Sequence, residues 1–457
     1  MIARERPADL RLVQALRGHV IATLVLAAPV IVARAGFVIL QIVDTAMTGR
    51  AGTQELAFIG IAGAIQMVLM LLALGMLRGI PVLVAQARGA GDLERCGEIW
   101  RSGLLHALVL GLLMVPVSLS GEPILRLVGQ DPELARGGGE VMAMFALGLP
   151  FFFVWTASTM FLEGVRHPIP AMLITIAGNI LNAGLNWVFI FGHLGAPEMG
   201  ASGALLATSI IRVLMFVALM VYVFSRPQLG IYNIKGGIAG LRKIGRRLRR
   251  LGYPLAIAAS VEALAFATMT VFAGRMGTEH LAVFQIAITS IAFIFMAAVG
   301  VGAATAVRVG YAVGRQDARE TKWAGWTGLG LVTAIMIPAG IAILAAPASV
   351  IGIYSNDPAI AALAPGVLMV AGLLLIFDGG QGVLMGALRG TGDVWIPSLI
   401  QLLSFWMVMV PVGALFSFVF DWGTQGLMGA VMAGVFAAFV ALSTRFSVVS
   451  GRAIRRL

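Results

Sequence analysis

Twelve long apolar stretches, each able to cross a bilayer as a helix, limit what this chain can become more than any other feature. Spanning hydrocarbon takes about 20 mostly apolar residues. Such stretches lie near 23–47, 56–84, 100–119, 138–162, 169–192 and 201–224, then near 253–274, 281–312, 325–346, 364–388, 395–419 and 426–446. With 59% of its 457 residues hydrophobic and only 12% charged, the chain cannot hide its apolar surface in a single water-soluble core. Lipid offers no partner for open backbone groups, so every span is expected to be helical. The fold class read here is an all-α membrane protein with twelve transmembrane helices.

Charge fixes the orientation. With both termini in the cytosol, the side opposite carries only Arg50, Arg126, Arg136 and Arg275 outside the spans, and the remaining extramembrane basic residues face inward. A cytosolic arm (1–22), a basic loop (225–252) and a basic tail (447–457) follow from this assignment. The densest run is Arg242, Lys243, Arg246, Arg247, Arg249 and Arg250 in the central loop. The net charge of +11 therefore reports topology and contact with membrane lipid, and no nucleic-acid-binding motif accompanies it. Trp100, Trp323 and Trp395 fall near the inner span boundaries, where indole rings favour the interface. Cys96 is the only cysteine, which excludes a disulfide within the chain. The five histidines are scattered, no phosphate-binding loop occurs, and no nucleophile–base or metal constellation stands out. The chain is not read as an enzyme, no cofactor is expected, and any transport would draw on an ion gradient.

The chain also repeats itself. Pro29 returns as Pro254, Gly49-Arg50-x-Gly52-Thr53 as Gly274-Arg275-x-Gly277-Thr278, and Gly89 and Asp92 as Gly314 and Asp317. The offset is constant and spans six helices, an even number. The copies therefore enter the membrane the same way and form a parallel repeat of two pseudo-symmetric six-helix bundles, 23–224 and 253–446. A repeat of that kind suggests a cavity at the seam and alternating access by rocking.

Acids inside spans are costly, and proteins keep them mostly along substrate and ion pathways. Glu262 in span seven and Asp378 in span ten fall near mid-membrane. Two carboxylates at one depth suit a shared proton or cation site. Asp44 lies toward the outer end of span one, where a helix C-terminus disfavours an acid. Asn182 and Asn186 are spaced i, i+4 on span five and share a face. With Asp44 they could supply oxygens to a hard cation such as Na+; simple interhelical bonding is the competing reading. Arg34 and Arg212 also lie inside spans, and the sequence assigns neither a partner.

Val43-Asp44-Thr45 followed by Gly49, the stretch Leu181-Asn182-x-x-Leu185-Asn186-Trp187, Gly195-Ala196-Pro197-Glu198, and Gly386-Ala387-Leu388-Arg389-Gly390 together resemble the multidrug and toxic compound extrusion (MATE) family over nearly the whole chain. Val261-Glu262 and Phe377-Asp378 point to its NorM-like branch. The resemblance implies export of organic cations and dyes in exchange for Na+ or H+. It implies ion coupling at Asp44, Asn182, Asn186, Glu262 and Asp378, and places Phe266 and Gln285 on the substrate path. Some sodium-coupled members carry a tyrosine four residues before the second-half Asp, where this chain has Leu374; either ion stays open there. The alternative is a flippase for a lipid-linked oligosaccharide or peptidoglycan precursor, which should hold more cations within its spans. A monomer in the bacterial inner membrane is the expected setting.

Overall fold

The computed structural model describes residues 8–237, 240–354 and 357–451, with side chains in the first helix from residue 16 onward. Arg4 and Arg6 of the expected arm, and Arg452, Arg455 and Arg456 of the expected tail, lie outside the described residues. The first half runs α1 (Ala8–Ala51), α2 (Thr53–Leu77), α3 (Gly79–Gly89), α4 (Leu93–Leu119), α5 (Gly121–Leu127), α6 (Pro132–Gly164), α7 (Ile169–Phe191) and α8 (Gly200–Ser225). The second runs α9 (Leu241–Met276), α10 (Thr278–Gly314), α11 (Ala318–Ala345), α12 (Pro347–Tyr354), α13 (Pro358–Thr391), α14 (Trp395–Leu403), α15 (Val410–Ala414) and α16 (Gly423–Ser450). Among the described residues twelve crossings are long and apolar enough to span a membrane, each at an expected position. The fold is the multi-pass helical one expected. Helices α2 and α3 share one crossing, and so do α14, α15 and two π-helical segments, Ser404–Met409 and Leu415–Val419.

Equivalent residues of the repeat do equivalent work. Pro29 and Pro254 both sit inside the first helix of their half, where membrane helices tolerate proline because neighbours take up the freed backbone groups. Asp92 caps α4 by accepting from the Arg95 amide at 3.2 Å, and Asp317 caps α11 by accepting from the Glu320 amide at 2.9 Å. Asp131 and Asp357 cap α6 and α13 in the same manner, each just before a proline. The short helices α5 and α12 also correspond, although neither is long enough to announce itself in the sequence.

The chain forms two compact units: residues up to Ile31 together with those from Ala258 onward, and Val32–Ile257. Each boundary falls just beyond the repeated proline. In the first unit, Arg308 holds the start of α1. Its guanidinium donates to the His19 carbonyl at 2.8 Å, to Thr23 Oγ1 at 2.5 Å and to Glu320 Oε1 at 3.2 Å, and His19 stacks on Trp323. Nearer the membrane centre α10 crosses α13 on glycines. A Cβ on Gly386 would lie 2.3 Å from the Gly302 carbonyl oxygen, and one on Gly390 would lie 2.6 Å from that of Ala306. In the second unit α9 crosses α2 as closely, since a Cβ on Gly75 would lie 2.4 Å from Ala256 Cα. Small residues permit such approach, and in lipid that van der Waals contact carries helix association.

Two expectations change. Trp100 is no interfacial anchor: it is only 1% exposed, packs on Phe161, and donates to Ser158 Oγ at 3.1 Å. The start of α4 is covered by the short helical turn Pro227–Tyr232, and the Tyr232 carbonyl abuts Gly97. The basic run of the central loop is helical, because α9 begins at Leu241.

Removing the Arg308 charge tests how firmly α1 is held. Arg308→Met removes the ion pair to Glu320 and the guanidinium's bonds to the His19 carbonyl and Thr23 Oγ1, and losing such charge-assisted bonds costs about 1.5–3 kcal/mol. Thermal unfolding in detergent is expected to shift down by several degrees; an unchanged midpoint means the cluster contributes nothing to the fold.

Candidate cation site

Asp44 stands on the last turns of α1 and is 6% exposed, while Asn182 and Asn186 on α7 are fully buried. The i, i+4 spacing brings the two amides one above the other, and the structure closes them with Asp44 into one hydrogen-bonded group. Asn186 Nδ2 donates to Asp44 Oδ1 at 2.6 Å and to Asn182 Oδ1 at 3.2 Å. Thr208 on α8 completes the ring: its hydroxyl donates to Asp44 Oδ2 at 2.7 Å and accepts from Asn182 Nδ2 at 3.2 Å. Two carboxylate oxygens, the Asn182 amide oxygen and a hydroxyl thus meet in one group drawn from three helices. Asn186 Oδ1 is buried and has no hydrogen-bond partner. Hard-oxygen donors of this kind suit a small cation, and uptake of a proton by the carboxylate would require the Thr208 hydroxyl to turn from donor to acceptor.

Both arginines left unassigned by the sequence have clear surroundings. Arg34 pairs with Glu163 Oε1 at 3.2 Å. Arg212 lies one turn after Thr208 on α8, with its guanidinium carbon 4.1 Å from the centre of the Phe145 ring and 4.8 Å from that of Phe152. Thr208 escaped the sequence reading, although a hydroxyl one turn before an arginine in an apolar span is a signal that could have found it.

In the second half, Glu262 and Phe266 lie one turn apart on α9. Phe266 meets Phe405 edge-on at 6.2 Å, and Trp406 Nε1 donates to the Val261 carbonyl at 3.2 Å. Both partners belong to the π-helical segment Ser404–Met409, a form that recurs at functional positions and that nothing in the sequence announced. Glu262 has an interaction of its own. Asp378 on α13 accepts from Gln381 Nε2 at 3.0 Å, and Gln285 on α10 is exposed. Asp44, Asn182 and Asn186 are therefore united in one group, whereas a site shared by Glu262 and Asp378 remains an expectation.

The repeat has a counterpart among known proteins. A model of the MatE family matches residues 29–188 and again 254–415, each match opening on the repeated proline. The chain belongs to the MatE family. It is similar to a probable multidrug resistance protein NorM of Pseudomonas putida, 32% identical over 432 residues and 93% of each chain. A protein of the same description from a Synechococcus strain is 33% identical over 426 residues, 90% of each chain. Among solved structures, the eukaryotic MATE transporter AtDTX14 matches with a TM-score of 0.85 at 19% identity, over 94% of this chain and 96% of that one. An outward-facing multidrug resistance MATE transporter matches equally well, at 20% identity over 96% and 98%. At such identities the structures speak for the MatE fold alone. The NorM resemblance read from the motifs holds over 93% of the chain, and MatE proteins are transporters, not enzymes.

Proposed function

We propose that this chain is a secondary active multidrug exporter, moving organic cations and dyes outward in exchange for inward Na+ or H+ by alternating access. The observation that carries the reading is the buried Asp44–Asn182–Asn186–Thr208 group, a lone acid with converging oxygens deep in an apolar bundle. An acid retained there at such cost is most simply explained by an ion that comes and goes. Binding of the coupling cation neutralises Asp44 and weakens the hold on a positively charged drug, provided the ion binds the two states differently. Glu262 and Asp378 act as a second coupling station, with Phe266 and Gln285 on the drug path. The named relatives are described as probable multidrug resistance proteins and the solved neighbours as MATE transporters, which leaves the flippase alternative without support.

The setting is the bacterial inner membrane, with both termini in the cytosol, as a monomer and with no resident cofactor. The start of α9 supports this orientation. Leu241, Ile244, Leu248 and Leu251 are buried, while Arg242, Lys243, Arg246 and Arg250 are exposed. A basic face at that level suits anionic lipid headgroups.

Reconstituted vesicles loaded with ethidium test the reading under a sodium gradient and then under a pH gradient. One gradient or both should drive dye across the membrane. Vesicles that hold their ethidium equally under both, with and without the protein, would end the proposal.

A further inference from the structure

Two buried polar atoms, one in the Asp44 group and one a helical turn beyond Thr208 on α8, have no hydrogen-bond partner, and they are of opposite character. Asn186 Oδ1 is an acceptor without a donor, and Arg212 Nη1 is a donor without an acceptor. Each such atom costs free energy until it is matched. Arg212 cannot be dismissed as a surface charge folded inward. Its stem runs past Gly148, where a Cβ would come within 2.9 Å of Arg212 Cδ, so α6 has no side chain at the point where the arginine passes. Its guanidinium rests on two aromatic faces, a weak and sequence-tolerant support compared with a carboxylate. Thr208 and Arg212 occupy one face of α8, and Thr208 already touches Asp44. Arg212 thus lies one helical turn from the residue that holds Asp44, and it carries a long, unbranched side chain able to reorient along that face.

We propose that Arg212 is a built-in competitor for the cation site at Asp44: it supplies the countercharge when no ion is bound and yields when one arrives. The inference rests on the exporter reading and adds the part that lets the ion leave. A lone carboxylate between apolar helices would hold a cation too tightly to release it, because the emptied state would be an unpaired buried charge. A guanidinium within reach removes that penalty. It makes the empty state tolerable, lowers the affinity for the ion, and does so without adding a soluble species. The two aromatic rings are then the resting place of the arginine while the site is occupied, since a cation over a ring face is stable there but carries no counterion to lose.

Competition of this kind has a signature that a structural arginine lacks: removing it tightens ion binding while slowing turnover. Purified protein is titrated with NaCl at constant ionic strength, balanced with choline chloride, and thermal stabilisation is followed. Arg212→Met keeps the stem between the rings and removes the charge. Its half-saturating sodium concentration is expected to fall about tenfold, within the usual range for coupling between two binding events, while ethidium efflux slows. Arg212→Lys keeps a charge and should stay near wild type in both measurements. Arg212→Gln serves if the Met variant does not fold. When Asp44→Asn is already present, adding Arg212→Met should leave the sodium response unchanged. Equal or weaker sodium response in Arg212→Met and Arg212→Gln overturns the proposal, as does the lack of any sodium response in wild type and variants alike. Failure of the exporter reading is seen separately, as absence of ethidium movement by the wild-type protein.

Discussion

Asp44→Asn is expected to cut driven ethidium efflux by about tenfold or more, a loss in the usual range of about 1–3 kcal/mol for coupling between two ligands. The protein should remain folded. Asparagine has the same shape, and its carbonyl can accept from either Asn186 Nδ2 or the Thr208 hydroxyl, the two donors that now converge on the carboxylate. Its amide must then face the other donor, so the ring loosens on one side without collapsing. What disappears is the charge that a cation or proton can neutralise. Dye efflux from cells and size-exclusion profiles in detergent, measured on the same preparations, separate the two effects. Efflux at the wild-type rate from a well-folded Asp44→Asn protein removes this acid from the coupling machinery. The parallel variant Asp378→Asn then shows whether the second half carries the burden instead.

Gly386→Leu is expected to prevent folding altogether. Its first new atom would lie 2.3 Å from the Gly302 carbonyl oxygen and 3.1 Å from Gly302 Cα. Both obstacles are backbone, which cannot rotate away as a side chain can. Packed interiors absorb such insertions only by moving helices apart, at a cost of about 1–3 kcal/mol and occasionally more. Here the displaced helices also share the Gly390–Ala306 and Gly302–Gly382 approaches, so one separation opens three contacts. The measurement is recovery of monodisperse protein and its unfolding temperature. Gly330→Leu is the control, because a Cβ at Gly330 on α11 meets nothing within 4 Å, and it should behave as wild type. A monodisperse Gly386→Leu protein with an unaltered midpoint means the α10–α13 crossing is far looser than its geometry implies.

The spans were legible because lipid imposes both a length and a composition on any helix that crosses it. The repeat was legible because a duplicated chain keeps its prolines, glycines and capping acids at one offset, and these are the residues for which backbone geometry admits few substitutes. Asp44, Asn182 and Asn186 stood out as polar residues in apolar surroundings. Their assembly with Thr208 was not readable, since the contact joins residues 164 positions apart in the chain. The Arg34–Glu163 pair was hidden for the same reason, at a separation of 129. Trp100 misled because position along a span says nothing about which face meets lipid. The π-helical segments left no trace, as Ser404–Met409 is apolar and aromatic like its neighbours. Gly386 and Gly390 are visible in the sequence only as part of a familial pattern, and the structure supplies the steric reason for that pattern.

The way α1 and α9 are apportioned has a consequence for how such a chain can be assembled. A protein cut in the central linker yields two pieces: the C-terminal one lacks the opening segment of the first unit, the N-terminal one lacks the closing segment of Val32–Ile257, and each carries the segment that the other lacks. Neither fragment is complete by itself, and each holds what its sibling lacks. Co-expressed fragments should thus recover one another by reciprocal exchange of helical ends, whereas either alone should be prone to degradation.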